Sequence, residues 1–328
     1  MRLCLALLAA AIMAAPASAQ IVVDGTVDAS YGLPVSIQTV NTEFGDEDGI
    51  NDPNGGELDA AYLAVEGQKL FIAISGNLET DSFNKLNLFI DSVAGGENTL
   101  AAQNFDFGDV GRNLGLVTFA PGFEADYQIY ARAGGGNFET DIVDRLGGVS
   151  TDVLASTGTA PLSGDFGIAI GANDAALTAN GSGVLGEAVS DGALAFALNN
   201  SNAAGVVGGS GAADPFAAAA VTTGVEFSID FAELGLSRGD TVSFVAMYGN
   251  GDNNFISNQI LGGLAAPQGN LGADGAGNFF GDASGVALDL SAATPFSITI
   301  PVPEPGSAVL VLMASAIAGA LGMRRRLG

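Results

Sequence analysis

Residues 58–75 read LDAAYLAVEGQKLFIAIS, two apolar stretches on either side of a short polar turn. Ala61–Glu66 and Lys69–Ser75 have the length and the aliphatic and aromatic content of β-strands. Glu66-Gly67-Gln68 between them is typical of a tight hairpin, because glycine readily adopts the positive φ that such turns need. This stretch therefore predicts two adjacent antiparallel strands.

Six further segments resemble strands in length and apolar content. They are Lys85–Asp91, Asp126–Ala131, Ala193–Leu198, Val225–Asp230, Thr241–Tyr248 and Phe296–Ile300. In the first, Leu86, Leu88 and Ile90 alternate with Asn87 and Phe89, which predicts that one face is more buried than the other. Phe231–Leu236 is predicted to form one short helical turn, with Asp230 as its cap and Gly239 just beyond its end.

Glycine accounts for 48 of the 328 residues, too many turn-forming positions for a helical protein. Two segments rich in glycine, alanine and asparagine, Gly171–Gly211 and Gly262–Gly285, predict long loops or edge hairpins. We therefore expect an all-β fold, an antiparallel β-sandwich of jelly-roll-like type with long Gly/Asn-rich loops, over residues 20–301. That length fits one large β domain or two smaller ones.

The N-terminal 19 residues have the pattern of a secretory signal peptide. Met1-Arg2 is followed by the apolar stretch Leu3–Ala15 and then by Pro16-Ala17-Ser18-Ala19. The small residues Ala17 and Ala19 predict cleavage just before Gln20, after export by the Sec machinery. Removal of this peptide also removes Cys4, the single cysteine of the chain.

The C-terminal segment, residues 302–328, has three parts in a fixed order. Val302 and the motif Pro303-Glu304-Pro305 come first, the uncharged run Gly306–Met323 follows, and Arg324, Arg325 and Arg326 come last. A helix over those 18 uncharged residues rises about 27 Å, close to the ~30 Å hydrocarbon core of a bilayer. The arginines predict a cytoplasmic end, and the prolines predict an extended, accessible stretch before the helix.

This tail resembles the PEP-CTERM sorting signal of exported proteins in exopolysaccharide-producing Gram-negative bacteria. The resemblance implies recognition by a membrane-embedded exosortase and cleavage at or near Pro303, Glu304 and Pro305. It also implies a membrane-anchored precursor that reaches the cell surface or the extracellular matrix. An ordinary C-terminal anchor that carries a Pro-Glu-Pro sequence is the alternative.

Composition excludes most familiar catalytic chemistry. The chain has no histidine and no tryptophan, and its cysteine lies in the predicted signal peptide. Ser-His triads, thiol nucleophiles and structural zinc sites are therefore excluded from the mature protein. A glycan-active enzyme could still use a pair of carboxylates, but acidic residues are so frequent here that chance pairs are expected. We expect a protein that is not an enzyme, with no catalytic residue assigned.

The body between Gln20 and Val302 contains six basic and 35 acidic side chains, a net charge of −29. Such a surface argues against a nucleic-acid partner, which requires basic residues. It attracts divalent cations and fits a matrix or envelope setting, with adaptation to a saline environment as the alternative.

An acidic loop at residues 46–57 is the candidate metal site. Calcium binds six to eight oxygen ligands, and this loop offers Asp46, Asp48, Asn51, Asp52, Asn54 and Glu57. Three of its positions match an EF-hand loop, but Ile50 and Asn51 stand where a ligand and a glycine are required. We interpret the loop first as a solvated acidic turn, with a structural calcium site in a sandwich loop as the alternative that these ligands offer. For the second polar loop, Asn250–Asn254, turn chemistry is a sufficient explanation.

The order of these elements resembles the carbohydrate-binding-module-9-like and DOMON-like β-sandwiches. The segments that carry the resemblance are Val23–Asp28 with Tyr31 as the first strand, the hairpin of Leu58–Val65 and Lys69–Ala73, and Gly224–Asp230 with Leu234–Leu236. Ser257-Asn258-Gln259 is similar to a motif of related exported PEP-CTERM proteins. The resemblance implies polysaccharide binding as an alternative function.

Those modules usually stack sugars on tryptophan or tyrosine rings. Here the candidates are Tyr31, Tyr62, Tyr127, Tyr130 and Tyr248. Tyr127 and Tyr130 are three residues apart, so on one strand they face opposite sides, and each tyrosine is predicted to be a core or edge residue. The function we expect is therefore a structural or interaction protein of the cell surface or exopolysaccharide-associated matrix.

Overall fold

The computed structural model describes residues 20–45, 56–102, 110–146, 153–163, 169–172, 194–278 and 287–302. In chain order its strands are β1 (Ser36–Ile37), β2 (Gly56–Glu66), β3 (Lys69–Leu78), β4 (Lys85–Asp91), β5 (Thr118–Phe119), β6 (Tyr127–Gly134), β7 (Asn137–Asp144), β8 (Val153–Pro161), β9 (Ala169–Ala172), β10 (Leu194–Leu198), β11 (Gly224–Asp230), β12 (Thr241–Gly249), β13 (Ile256–Leu261), β14 (Asp289–Leu290) and β15 (Phe296–Thr299). Two short α-helices, α1 (Val110–Asn113) and α2 (Pro215–Ala219), and 3-10 turns at Ala29–Tyr31 and Phe231–Leu234 lie between them.

The strands form two large antiparallel sheets. The first has the order β1-β2-β3-β11-β10-β9, and the second has the order β13-β12-β4-β6-β7-β8. β15 pairs with the first half of β12, while β13 pairs with its second half. β5 and β14 form a separate parallel pair. The prediction of an all-β, antiparallel fold is confirmed.

The two sheets share one apolar core. β3 contributes Leu70 and Ile72 from the first sheet, and β4 contributes Leu88 and Ile90 from the second, all with no exposed surface. These residues alternate along their strands, because successive side chains of a strand point to opposite faces of its sheet. Every second side chain of these strands therefore points into the space between the two sheets and forms the core.

The hairpin predicted from the sequence is present. Glu66 pairs with Lys69, which leaves Gly67 and Gln68 as a two-residue turn between β2 and β3. Gly67 has a φ of +60°, the left-handed conformation that favours glycine at this position. The strands themselves extend beyond the predicted limits, to Gly56 in β2 and to Leu78 in β3.

The prediction that β4 has one more buried face is wrong. Asn87 and Phe89, on the face opposite to Leu88, also have no exposed surface. Phe89 belongs to a second apolar cluster that includes Phe119 of β5 and Leu271 of a long loop, which lie over the outer face of the second sheet. A sequence alternation cannot show that loops cover the second face.

The helical turn after β11 also differs from its prediction. It is a 3-10 turn, Phe231–Leu234, and it ends at Gly235 (φ +72°) rather than near Gly239. Asp230 makes no side-chain capping hydrogen bond there. Its carboxylate instead forms an ion pair with Lys69 of the neighbouring strand, at 3.1 Å.

Several elements were not predicted from the sequence. They are the strands β1, β5, β7, β8, β9, β13 and β14 and the helices α1 and α2. The side chain of Asp214 caps α2 by accepting hydrogen bonds from the backbone N–H groups of Phe216 and Ala217. Of the two long loops expected from composition, residues 173–193 of the first and 279–285 of the second lie outside the described residues.

Candidate functional site at the exit of the C-terminal tail

The chain is held firmly where it leaves the last strand. Ile300 donates its backbone N–H to the carbonyl oxygen of Asp240 at 2.8 Å, and its own carbonyl accepts from the N–H of Gly239 at 2.8 Å. The carboxylate of Asp240 in turn accepts from the N–H of Ser237 at 2.8 Å, which closes the turn Ser237–Asp240. Ile300 is fully buried. The backbone is therefore fixed three residues before Pro303.

Arg238, in the same turn, holds the next residue. Its Nη1 donates to the carbonyl oxygen of Pro301 at 2.8 Å, and its Nη2 donates to the carbonyl oxygen of Gly67. The guanidinium also lies 5.5 Å from the ring centroid of Phe231, within the range of a cation–π contact. Arg238 thus connects the exit of the tail to the β2–β3 turn. We call Ser237–Asp240 with its contacts to Ile300 and Pro301 the exit clamp.

Val302, the last described residue, is 63% exposed. The predicted sorting residues Pro303, Glu304, Pro305, Arg324, Arg325 and Arg326, and the predicted helix over residues 306–323, lie outside the described residues. Among the residues that the structure does describe, no helix has the length and apolar character required to cross a membrane.

The N-terminal end of the body lies at the same turn. Ile21 is 3% exposed, and its backbone N–H donates to Oε2 of Glu66 at 3.2 Å. Gln20, the predicted first residue of the mature chain, is exposed beside it, whereas the predicted cleavage residues Ala17 and Ala19 lie outside the described residues. Glu66 directly precedes Gly67, and Arg238 joins Gly67 to Pro301, so one turn lies beside both ends of the body.

A buried carboxylate holds the segment that follows Ile21. Oε2 of Glu226 accepts from the backbone N–H groups of Asp24 at 2.9 Å and Gly25 at 3.0 Å, and Oε1 accepts from the Tyr31 hydroxyl at 2.7 Å. Burial raises the pKa of Glu226 to about 7, although these hydrogen bonds act in the opposite direction. Burial beside Glu226 likewise raises the pKa of the Tyr31 hydroxyl, which keeps it a donor.

This segment does not form the first strand expected from the resemblance to the carbohydrate-binding modules. Its contacts with the sheet include an isolated bridge between Thr26 and Thr223 and a hydrogen bond from the N–H of Val27 to the carbonyl oxygen of Thr222, at 2.7 Å. It lies as a strap, residues 21–31, on the outer face of the first sheet. Ile21 and Tyr31 pack there against Tyr62 and Phe71.

The five tyrosines, all within the described residues, are at most 6% exposed. Tyr127 belongs to the core between the sheets, whereas Tyr130 lies on the other face with the Arg132 guanidinium 5.4 Å from its ring centroid. Their opposite orientation agrees with the strand periodicity. Tyr31 borders a cavity of about 560 Å³ beside Gln20, but its hydroxyl is bonded to Glu226. None of the five rings offers an open face for stacking a sugar.

The predicted calcium loop lies mostly outside the described residues. Of its six candidate ligands, Asp46, Asp48, Asn51, Asp52 and Asn54 fall in that part, and Glu57 is described. Glu57 is 1% exposed and accepts a hydrogen bond from Nδ2 of Asn202 at 2.8 Å. Within the described ranges, no group of three or more acidic, histidine or cysteine side chains is arranged to hold a metal ion. The calcium site stays a prediction.

Turn chemistry accounts for the polar loop at residues 250–254. Oδ1 of Asn250 accepts from the backbone N–H groups of Asn254 at 2.9 Å and Phe255 at 3.2 Å. Asn253 adopts a φ of +54° and exchanges amide hydrogen bonds with the buried Asn87. This asparagine pair joins the loop to β4.

Ser257-Asn258-Gln259, in β13, has a structural role. Nδ2 of Asn258 donates to the carbonyl oxygens of Asn41 at 2.7 Å and Gln268 at 2.8 Å. Oε1 of Gln259 accepts from the N–H of Leu58 at 2.7 Å, next to an irregularity in the pairing of β2. The motif therefore joins β13 to three separate segments of the chain.

Asp91 and Asp126 are two neighbouring carboxylates with raised pKa values. Burial raises the pKa of Asp91 to about 6, and repulsion from the charge of Asp126 raises it further. Burial also raises the pKa of Asp126. Oδ2 of Asp126 accepts from the N–H groups of Ser92 at 2.6 Å and Val93 at 2.8 Å, and Asp91 accepts from the N–H of Glu124 at 3.2 Å. These contacts hold the chain that follows β4, which is a structural role.

Comparison with known families identifies the tail. Residues 301–326 match the family model of the PEP-CTERM protein-sorting motif. The match begins at Pro301, the residue held by Arg238. It indicates an exported, membrane-associated precursor with an exosortase as its processing partner. No curated protein and no solved structure matches the chain, so the resemblance of the body to carbohydrate-binding modules stays a prediction.

Proposed function

We propose that this protein is a structural or interaction component of the cell surface or of an exopolysaccharide-associated extracellular matrix. In this proposal the Sec machinery exports the chain and the C-terminal helix holds the precursor in the membrane. An exosortase then recognises Pro303-Glu304-Pro305 and cuts at or near it. The chemistry at this motif is thus performed on the protein by its partner.

The observation that carries the proposal is the match of residues 301–326 to the sorting motif, which begins at the clamped Pro301 and continues beyond it. The clamp holds the chain up to Pro301, and Val302 is already largely exposed. A processing enzyme needs access to an extended, unpaired stretch of backbone. The position of the motif, just beyond the last clamped residue, supports such access without unfolding of the body.

The properties of the body support a role in interaction rather than in catalysis. Its net charge of −29 gives a strongly acidic surface, suited to binding divalent cations and cationic groups in a matrix. The carboxylates of Asp91, Asp126 and Glu226, whose pKa values are raised, accept hydrogen bonds from backbone N–H groups. The alternative of a polysaccharide-binding module loses its best argument, because the tyrosine rings that would stack on sugars are buried.

The test is cell fractionation of the wild type and of the Glu304→Ala variant in the native host. We expect the wild-type body in the surface or extracellular fraction and the variant as a full-length protein in the membrane fraction. Glu124→Ala is the matched control, because this exposed carboxylate is distant in sequence from the motif. Full-length wild type and variant together in the membrane fraction would show a plain anchor and overturn the proposal.

A further inference from the structure

We infer that one end of the sandwich faces the bilayer in the unprocessed precursor, so that the body stands upright on the membrane. This exit end consists of the β2–β3 turn (Glu66–Gln68), the exit clamp, and the terminal residues Gln20–Ile21 and Pro301–Val302. The inference rests on the proposed sorting function and adds to it an orientation and a membrane-facing surface.

The first observation is that both ends of the body leave from this single place. Arg238 donates hydrogen bonds to Gly67 and to Pro301, and Glu66 accepts one from Ile21. The N-terminal exit thus contacts Glu66 directly, and the C-terminal exit is joined to the adjacent Gly67 through Arg238. The predicted signal peptide therefore joins the body at the same end of the sandwich at which the sorting tail leaves it.

The second observation is the shortness of the connection to the predicted membrane helix. From Pro301 to Gly306 the chain advances five residues, which span at most about 18 Å when fully extended. The exit clamp fixes the body end of this connection. The exit end therefore stays within that distance of the membrane for as long as the tail is intact.

The opposite end of the sandwich lies much farther away. β3 runs from Lys69 at the exit end to Leu78 at the other end, ten residues that rise about 30 Å. At that distal end the hydroxyl of Tyr248 donates to the carbonyl oxygen of Asn77 at 2.8 Å, and the loop containing Asp252 follows β12. The distal loop and the β2–β3 turn thus differ in height by most of the strand length when the body is upright.

The charge of the body favours this upright position. With a net charge of −29, the body as a whole is repelled by anionic headgroups, which opposes broad contact between the sandwich and the bilayer. Because the body is tethered only at its exit end, this repulsion moves the distal end away from the bilayer.

The absence of cysteine from the body allows a direct test. The membrane-held Glu304→Ala precursor is prepared with Cys4→Ser and one new cysteine, either Gln68→Cys at the exit end or Asp252→Cys at the distal end. Both positions are exposed. Each protein is labelled with a thiol-reactive fluorophore, and quenching by a quencher attached to lipid headgroups is measured in isolated membranes.

We expect quenching at position 68 to exceed quenching at position 252 by about twofold or more, because the labels differ by up to about 30 Å in height. A flexible Gly/Ser spacer inserted between Val302 and Pro303 should reduce this difference, because it lengthens the tether. Equal quenching at the two positions, or stronger quenching at position 252, would overturn the orientation.

Fractionation before labelling separates this inference from the proposed function. If the Glu304→Ala precursor does not remain in the membrane fraction, the sorting proposal fails and the orientation fails with it. If the precursor remains there, the wild type is released and the two labels are quenched equally, the sorting proposal stands and only the orientation is wrong.

Discussion

The guanidinium of Arg238 donates a hydrogen bond to the carbonyl oxygen of Pro301 across 2.8 Å, two residues before Pro303. The same group donates to Gly67 in the β2–β3 turn, so one side chain joins the exit of the sorting tail to the first hairpin. Arg238 is one of only six basic residues in the body. The folded structure therefore extends up to the residue at which the sorting motif match begins.

Replacing Arg238 with alanine should loosen this exit. The change removes two charge-assisted hydrogen bonds and the contact with Phe231, and we expect the free energy of unfolding to fall by about 1 kcal/mol. Amide exchange at Ile300 should become faster, because its neighbour is no longer held. Chemical denaturation and hydrogen exchange of the body give both measurements.

Lys69→Ala is the matched control for that variant. It removes a basic residue from the same end of the molecule, where Lys69 forms an exposed ion pair with Asp230 at 3.1 Å. Exposed pairs of this kind contribute at most about 1 kcal/mol, and this one joins two neighbouring strands, β3 and β11. Identical exchange at Ile300 in wild type and Arg238→Ala would contradict the role assigned to Arg238.

The contact of Glu226 with the strap predicts a pH dependence. Its pKa is raised from 4.5 to about 7 in the folded protein, so the folded state binds this proton more tightly than the unfolded chain. Its contribution to stability is therefore complete below about pH 4.5 and is lost as the pH rises through about 7. The binding of one such proton changes the free energy of unfolding by at most about 1.4 kcal/mol per pH unit.

The Glu226→Gln variant should remove this part of the pH dependence of the free energy of unfolding. The glutamine amide resembles the protonated carboxyl, because its oxygen can accept from Asp24 and Gly25. Its NH₂ then takes the place of Oε1 and donates to the Tyr31 oxygen, whose hydroxyl turns from donor to acceptor. Urea midpoints between pH 4 and 8 measure the effect. Asp91→Asn serves for comparison, because it removes a different carboxyl whose pKa is raised to about 6. An unchanged pH dependence in Glu226→Gln would show that this carboxyl is not the group that titrates.

The buried amide of Gln259 predicts a larger loss of stability. Gln259→Leu keeps the side-chain size but leaves the N–H of Leu58 and the carbonyl of Val40 without the partner that each has now. An unpaired buried polar group costs about 1–3 kcal/mol, so we expect a fall of that size in the free energy of unfolding. Gln68→Ala, an exposed amide in the β2–β3 turn, should change it far less. Equal effects of the two variants would contradict this structural role.

The sequence identifies the strands whose alternation is clean and misses those whose polar residues are buried. β4 was predicted with its observed limits, because Leu86, Leu88 and Ile90 mark every second position. β7 was not predicted, because the polar residues Glu139 and Asp141 interrupt its apolar pattern. In the structure both form ion pairs with the buried Arg132.

The tail was predicted because its motif is contiguous in the sequence, whereas the residues that hold the body ends were not. Glu226 binds the backbone of Asp24 across 202 positions, and Arg238 binds carbonyl groups of Gly67 and Pro301. Contacts with backbone groups leave no pattern in the partner sequence. They could be found only once the fold had brought these segments together.

The most direct test of the account is the intact mass of the protein isolated from its native host, with Glu304→Ala measured in parallel. We predict a wild-type species that begins at Gln20 and ends near Pro303, and a variant that keeps its C-terminal tail. A wild-type protein that carries the complete tail through Arg326 would contradict the claim that this chain is sorted by cleavage at its Pro-Glu-Pro motif.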